Sequence, residues 1–214
     1  IIMNSFYGVL GSTGCRFFDP RVCSSITLRG HEIIQRSRDW IEQQGYAVIY
    51  GDTDSLFVWL ENNCVGKPPK NQQQCQKIGE RLARELNQWW QQTLKTEYAI
   101  KSQLEIQFET HYLRFLMPTI RGSEIGTKKR YAGVVEHNGE RELVFKGLEN
   151  VRTDWTRLAK DFQEQLYSKV FNGEDYLDFV RETVADVLAG MRNSDLVYNK
   201  RLRRHLKKYK KNVP

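Results

Sequence analysis

The sequence predicts an α+β chain in which short antiparallel strands, paired as hairpins, are backed and followed by amphipathic helices. Three observations predict it. Tyr46 to Tyr50 and Leu56 to Leu60 are short runs rich in aromatic and branched residues, separated by the small and polar Gly51-Asp52-Thr53-Asp54 expected of a tight turn. A second hairpin opens at Thr127-Lys128-Lys129-Arg130-Tyr131-Ala132-Gly133 and turns at His137-Asn138-Gly139. Apolar residues recur at helical spacing over about 24–44, 73–98, 155–171 and 174–190.

Composition bounds the function. With 214 residues, 40% of them hydrophobic and 12% aromatic, the chain can bury a substantial core as one large or two small domains. No run approaches a membrane span, so no membrane partner is expected. The opening Ile1-Ile2-Met3-Asn4 is neither a signal sequence nor a natural beginning, and the expectation is a piece of a longer protein. Cys15, Cys23, Cys64 and Cys75 lack a Cys-x-x-Cys pair and no histidine stands at zinc-ligand spacing, which points to free thiols in a cytoplasmic protein. The net charge of +7 is concentrated at one end. Residues 199–214 hold eight Lys or Arg and no acid, while the other 198 residues carry 25 basic against 26 acidic groups. Such a field suits a polyanionic partner, and Leu202, Leu206 and Tyr209 at helical spacing favour an ordered basic helix over a solvated, disordered end.

Taken in order, residues 1–14 read as the end of a helix passing into a glycine-punctuated turn. Ser24 and Ser25 are N-cap candidates for a helix through about Gln44, with Ile26, Gly30, Ile33, Ser37 and Ile41 as its buried stripe and Gly45 as its stop. Gly30 on that stripe implies close approach to a sheet, and the helix is placed to support the first hairpin from behind. His31 and Cys23 read as structural. Residues 61–72 read as a polar surface loop. The next helix carries Ile78, Leu82, Leu86, Trp89, Trp90 and Leu94 on its apolar side, and the Trp pair reads as packing rather than a base-stacking platform. Leu104 to Met117 alternates as a strand would, with Glu105, Gln107 and Glu109 sharing one face. Gly173 and Gly190 break the last helices.

The chemistry centres on Asp52 and Asp54. Carboxylates two residues apart near a strand end can project together, and such a pair calls for a hard cation; Mg²⁺ takes one or two carboxylates plus substrate phosphates. An Asp-x-Asp alone is common in surface turns and also forms the metal-nucleotide site of some glycosyltransferases. Set between two hydrophobic strands as Tyr50-Gly51-Asp52-Thr53-Asp54-Ser55, it resembles the carboxylate hairpin of family B DNA polymerases. Asn4-Ser5-Phe6-Tyr7-Gly8, Lys128-Lys129-Arg130-Tyr131 and Lys146-Gly147-Leu148-Glu149-Asn150-Val151-Arg152 resemble three further family segments, in the family's order. Met117-Pro118-Thr119-Ile120-Arg121-Gly122 and Arg152-Thr153-Asp154-Trp155 look closest to bacterial members.

The resemblance implies a polymerase palm, a mainly antiparallel sheet backed by helices, followed by a helical thumb portion. Residues 1–14 would end the fingers helix, 15–150 form the palm and 151–214 start the thumb. It implies template-directed addition of deoxynucleotides by two-metal phosphoryl transfer, with primer-template DNA and deoxynucleoside triphosphates as partners. Asp52 and Asp54 would be catalytic, with Asp54 the shared ligand of two Mg²⁺ ions, Asp52 beside it and Thr53 supporting the turn. Asn4 and Tyr7 would meet the incoming nucleotide. Thr53, Lys128, Lys129, Tyr131, Lys146, Arg152, Arg203, Arg204, Lys207 and Lys208 would face DNA, with Lys129 reaching primer minor-groove acceptors present in every base pair. Glu109 matches the second acid of a family Leu-Glu-x-Glu pattern, but Gln107 replaces the first, so a structural or solvent-facing Glu109 is expected. A sliding clamp would be met through regions outside this chain. The family's first carboxylate motif, Asp-x-x-Ser-Leu-Tyr-Pro, is absent, so the isolated piece is expected to be inactive. A non-catalytic duplex-binding module and an Asp-x-Asp glycosyltransferase are the competing classes.

Overall fold

The computed structural model describes residues 7–63, 69, 71–119, 122 and 126–199. The chain forms two compact units, Ile1–Glu109 and Thr110–Pro214. The described strands fall into two small antiparallel sheets, one of two strands and one of three, rather than a single sheet.

In the first unit, residues 7–10 are helical and give way to turns. Helix α1 (Pro20–Gln43) then starts earlier than the Ser24-Ser25 pair implied. Asp19 is the cap: its carboxylate accepts from the Arg21 N–H at 2.9 Å, and Pro20 supplies a preset φ where no amide hydrogen is needed. Gly45, with φ 86°, stops the helix as expected. The buried stripe is shorter than the spacing implied. Ser37 and Ile41 are buried and Ile33 partly so, but Ile26 is 47% exposed. A Cβ on Gly30 would meet nothing within 4 Å, so the close approach expected there does not occur.

Strands β1 (Tyr46–Asp52) and β2 (Ser55–Asn63) pair antiparallel through Asp52↔Ser55, Gly51↔Leu56 and Tyr50↔Phe57. Helix α2 (Gln72–Tyr98) is capped by the Asn71 side chain, which accepts from the Gln74 N–H at 2.9 Å. The core is Ile41 of α1, Tyr46 of β1 and Leu82, Leu86 and Trp90 of α2. Each such side chain contributes about 1.5–3 kcal/mol by leaving water. Trp90 is 1% exposed, and its indole N–H donates to Ser37 Oγ at 2.8 Å, so the one polar atom of the ring is satisfied inside the core. Trp89 meets Trp90 edge-on at 4.8 Å, and both rings are used in packing, as expected. Arg36 lies over both rings and its guanidinium forks onto Glu97 at 2.6 and 2.8 Å, tying α1 to α2.

The strand expected over Leu104 to Met117 is corrected by the structure: residues 99–112 have no ladder, and only Arg114–Leu116 is a strand (β3). The period-two alternation was real, since residues 102–109 alternate half-buried and exposed, and Glu109 faces solvent. The partner is a side chain instead of a strand. Asn87 of α2 donates to the Ile106 carbonyl at 2.7 Å and accepts from its N–H at 2.8 Å, satisfying both backbone groups.

The second unit is built on β3, β4 (Tyr131–His137) and β5 (Glu140–Lys146), paired in that order. Asn138 and Gly139 both have positive φ, 53° and 85°, the two-residue turn that matches strand twist. Ala132 to Val135 on central β4 are all buried. Helix α3 (Arg157–Asn172) is capped by Thr156 and stopped by Gly173 at φ 72°. It closes a core of Ala132, Val134, Leu148 and Phe171. Helix α4 (Leu177–Leu188) meets α3 by stacking Phe179 on Phe162 at 5.4 Å. Among the described residues, no helix is long and apolar enough to cross a membrane.

Candidate functional site

The hairpin between β1 and β2 gathers the two aspartates into a very tight reversal. Asp52 is the last residue of β1, and Ser55, its register partner, is the first of β2. The expected four-residue turn therefore contracts to Thr53-Asp54. The Asp54 N–H donates to the Asp52 carbonyl at 2.5 Å, closing a three-residue turn around Thr53. Thr53 sits at φ 52°, a left-handed conformation rare for a β-branched residue. Its hydroxyl donates to Asp52 Oδ1 at 3.1 Å, and Ser55 Oγ donates to Asp54 Oδ1 at 3.3 Å. Each carboxylate thus has one oxygen steadied by a neighbouring hydroxyl. Asp52 is half-buried and Asp54 is exposed.

The support from behind is as expected. Gly51 lies where a Cβ would come within 3.3 Å of Leu56 and 3.9 Å of Ile34 on α1. Leu56 and Val58 of β2 pack against the core that α1 and α2 share. The hairpin tip therefore stands on a rigid base, the arrangement wanted for residues that must hold a fixed geometry.

Whether the residues suit a divalent cation turns on the donor set. Two carboxylates flanking one turn offer hard oxygen ligands suited to Mg²⁺, which retains waters and takes the rest of its coordination from substrate. Among the described residues there is no group of three or more metal-ligating side chains. The hairpin fits as part of a Mg²⁺ site, with Asp52 and Asp54 as the residues that would hold the ion.

Of the residues expected at the nucleotide, Asn4 lies outside the described residues. Tyr7 is 45% exposed, and its hydroxyl is 2.8 Å from Thr27 Oγ1. Thr27 donates its own proton to the Cys23 carbonyl at 3.0 Å, so Tyr7 donates to Thr27. The Cys23 thiol in turn donates to the Tyr7 carbonyl at 3.7 Å. One turn of α1 thus holds Tyr7 at both its side chain and backbone. Cys23 is structural, as expected; Thr27 was missed, and no local pattern marks it.

The basic residues belong to the other compact unit. Lys128 and Lys129 are exposed at the turn before β4, and Lys129 has φ 63°. Tyr131 starts β4 opposite Lys146 in register, and its ring packs with Phe115 at 5.2 Å and Tyr112 at 6.2 Å. Arg152 forks onto Asp154 at 2.9 and 2.7 Å, an exposed pair that holds the guanidinium above its ordinary pKa. Arg203, Arg204, Lys207 and Lys208 lie outside the described residues.

The described residues thus place two carboxylates on a hairpin tip backed by helices and an exposed lysine turn in the other compact unit. The comparison with known proteins identifies the class: a profile of DNA polymerase family B matches residues 1–214, and the chain belongs to that family. It is 54% identical to DNA polymerase II of Escherichia coli over all 214 residues, which is 26% of that protein's length. It is 30% identical to the DNA polymerase alpha catalytic subunit of Xenopus laevis over 176 residues, 80% of this chain and 10% of that protein. A DNA polymerase of Archaeoglobus fulgidus is 28% identical over 193 residues, 89% of this chain and 20% of that protein. The chain thus spans between a tenth and about a quarter of the length of these relatives.

Proposed function

We propose that this chain is the palm and the start of the thumb of a DNA-directed DNA polymerase similar to DNA polymerase II. Residues 1–14 end the fingers, 15–150 form the palm and 151–214 begin the thumb. The observation that carries this reading is the hairpin itself: Asp52 and Asp54 held one residue apart around a left-handed Thr53, in a chain matched by the family along its whole length.

In the intact enzyme Asp54 would be the principal ligand for Mg²⁺, with Asp52 beside it. When bound there, Mg²⁺ would neutralise charge on the triphosphate and activate the primer 3′-hydroxyl. The protein's own part is positioning. Thr53 and Ser55 orient the two carboxylates, and the base of Ile34 and Leu56 prevents the tip from yielding. Tyr7, clamped to α1, presents its ring to the nascent base pair, and Asn4 holds the triphosphate. Lys128, Lys129, Tyr131, Lys146 and Arg152, with Arg203, Arg204, Lys207 and Lys208, grip the primer-template duplex through phosphates and the minor groove. Phosphate binding at Arg152 requires it to exchange Asp154 for DNA. Deoxynucleoside triphosphates and primer-template DNA are the substrates, and the bacterial cytoplasm is the setting that the similarity supports. The isolated chain is inactive, because the family's first carboxylate motif is not among its 214 residues.

The test is activity of the full-length protein that contains this chain. With Mg²⁺ and deoxynucleoside triphosphates it extends a primer on a template and does not consume nucleotide sugars. Failure to extend, or turnover of a nucleotide sugar, contradicts the proposal.

A further inference from the structure

We propose that Glu149, braced by Gln163 of α3, is a positioning residue that sets the Lys128-Lys129 turn for its grip on the primer. The inference rests on the polymerase reading above and adds to it a role for Glu149, within the Lys146–Arg152 segment, and for Gln163 on α3.

The turn at 127–130 needs external support, because Lys129 carries a side chain at φ 63°. Three fasteners supply it. Thr127 donates its N–H to the Pro118 carbonyl at 2.8 Å, and its hydroxyl lies 2.9 Å from the same oxygen and 3.2 Å from the Arg130 carbonyl. Gly147, at φ 64°, packs so closely that a Cβ there would overlap the Lys129 carbonyl oxygen. Arg130, between the two residues assigned to the primer, turns its guanidinium onto Glu149 Oε1.

The ion pair is built to hold position. The Glu149 side chain is 19% exposed, less than any other carboxylate in the ion pairs described, and its second oxygen accepts from Gln163 Nε2 at 2.7 Å. Gln163 Oε1 accepts from the Asn150 N–H at 2.9 Å, which fixes the amide of Gln163 itself. Leu148, next to Glu149, is 2% exposed and anchors the segment in the core. A continuous path of bonds therefore runs from α3 through Gln163, Glu149 and Arg130 to the backbone of Lys129. The lysines can point at phosphate or minor groove only as accurately as this path holds the turn.

The experiment uses full-length polymerase and compares Glu149→Gln, Gln163→Met and Lys129→Ala, alone and combined, by primer-template affinity and by extension from matched and mismatched ends. Glu149→Gln keeps the shape of the side chain, and Gln163→Met loosens it without touching the ion pair, so one of the two is read if the other does not fold. Each is expected to weaken primer-template binding by roughly three- to tenfold and to lower mismatch discrimination, the scale of a small misplacement of a binding group. In the Lys129→Ala background the same changes are expected to cost less than about twofold, because their effect passes through Lys129. An equal loss in both backgrounds, or no loss from either variant alone, overturns the proposal. If Lys129→Ala itself binds and extends like the unaltered enzyme, the primer assignment of the turn fails, and the role of Glu149 fails with it.

Discussion

Replacing Thr53 by glycine and by alanine should reverse the usual order of those two residues. At an ordinary position glycine is less stable than alanine, because the unfolded chain gains about 0.4–1 kcal/mol of conformational freedom. Thr53 has φ 52°, where any Cβ crowds the following carbonyl at a cost of roughly 1–2 kcal/mol that glycine escapes. Both substitutions lose the bond from the Thr53 hydroxyl to Asp52 Oδ1, so that loss cancels between them. The balance leaves Thr53→Gly more stable than Thr53→Ala by about 1 kcal/mol. Urea unfolding of the 214-residue chain, followed by the fluorescence of core Trp90, measures it. In the full-length enzyme both variants should extend primers more slowly, because Asp52 loses the hydroxyl that orients it. If Thr53→Ala is as stable as Thr53→Gly, the left-handed turn does not exist as described.

Three further outcomes follow from the same unit. Ser37→Ala should cost about 1–3 kcal/mol, because the Trp90 indole N–H is left without a partner where the ring is 1% exposed; an unchanged urea midpoint contradicts this. Cys75, whose thiol is pushed up by burial, should resist iodoacetamide in the folded chain long after Cys15 and Cys23 are labelled, as mass mapping would show; equally rapid labelling of Cys75 refutes its burial. The hydrogen bonds from Arg36 hold Glu97 below the usual carboxylate range, so their contribution is complete above the unfolded value of about 4.3 and fades as pH falls through the lower folded value. Acid unfolding of Arg36→Met should accordingly lose part of its pH dependence below that value, and an unchanged acid limb would count against the pairing.

Much of this architecture is legible in the sequence where a local signal and the tertiary outcome agree. The first hairpin, the Asn138-Gly139 turn and the Gly45, Gly173 and Gly190 breaks are of this kind, because each is set by residues adjacent in the chain. The start of α1 differs from the expectation because Ser24 and Ser25 also suit a cap, whereas the chain uses Asp19 as the cap and Pro20 as a preset φ after it. The segment around Ile106 shows why periodicity is insufficient: burial alternates as in a strand, but the backbone is satisfied by Asn87 from a distant helix. Gly30 read as a close contact because it falls on the apolar stripe, yet the stripe meets its core only nearer the other end of the helix. The site follows the same division. Asp52 and Asp54 are marked by their own surroundings, whereas Thr27 holding Tyr7 and Glu149 holding Arg130 depend on residues that come together only after folding.

Single-turnover primer extension by the full-length protein carrying Asp54→Ala, with primer-template binding measured beside it, tests the central claim most directly. On the proposed assignment, loss of Asp54 should slow nucleotide addition by at least about a hundredfold while leaving DNA affinity nearly unchanged. Extension by Asp54→Ala at more than about a few per cent of the unaltered rate would contradict the assignment of the hairpin as the catalytic metal site.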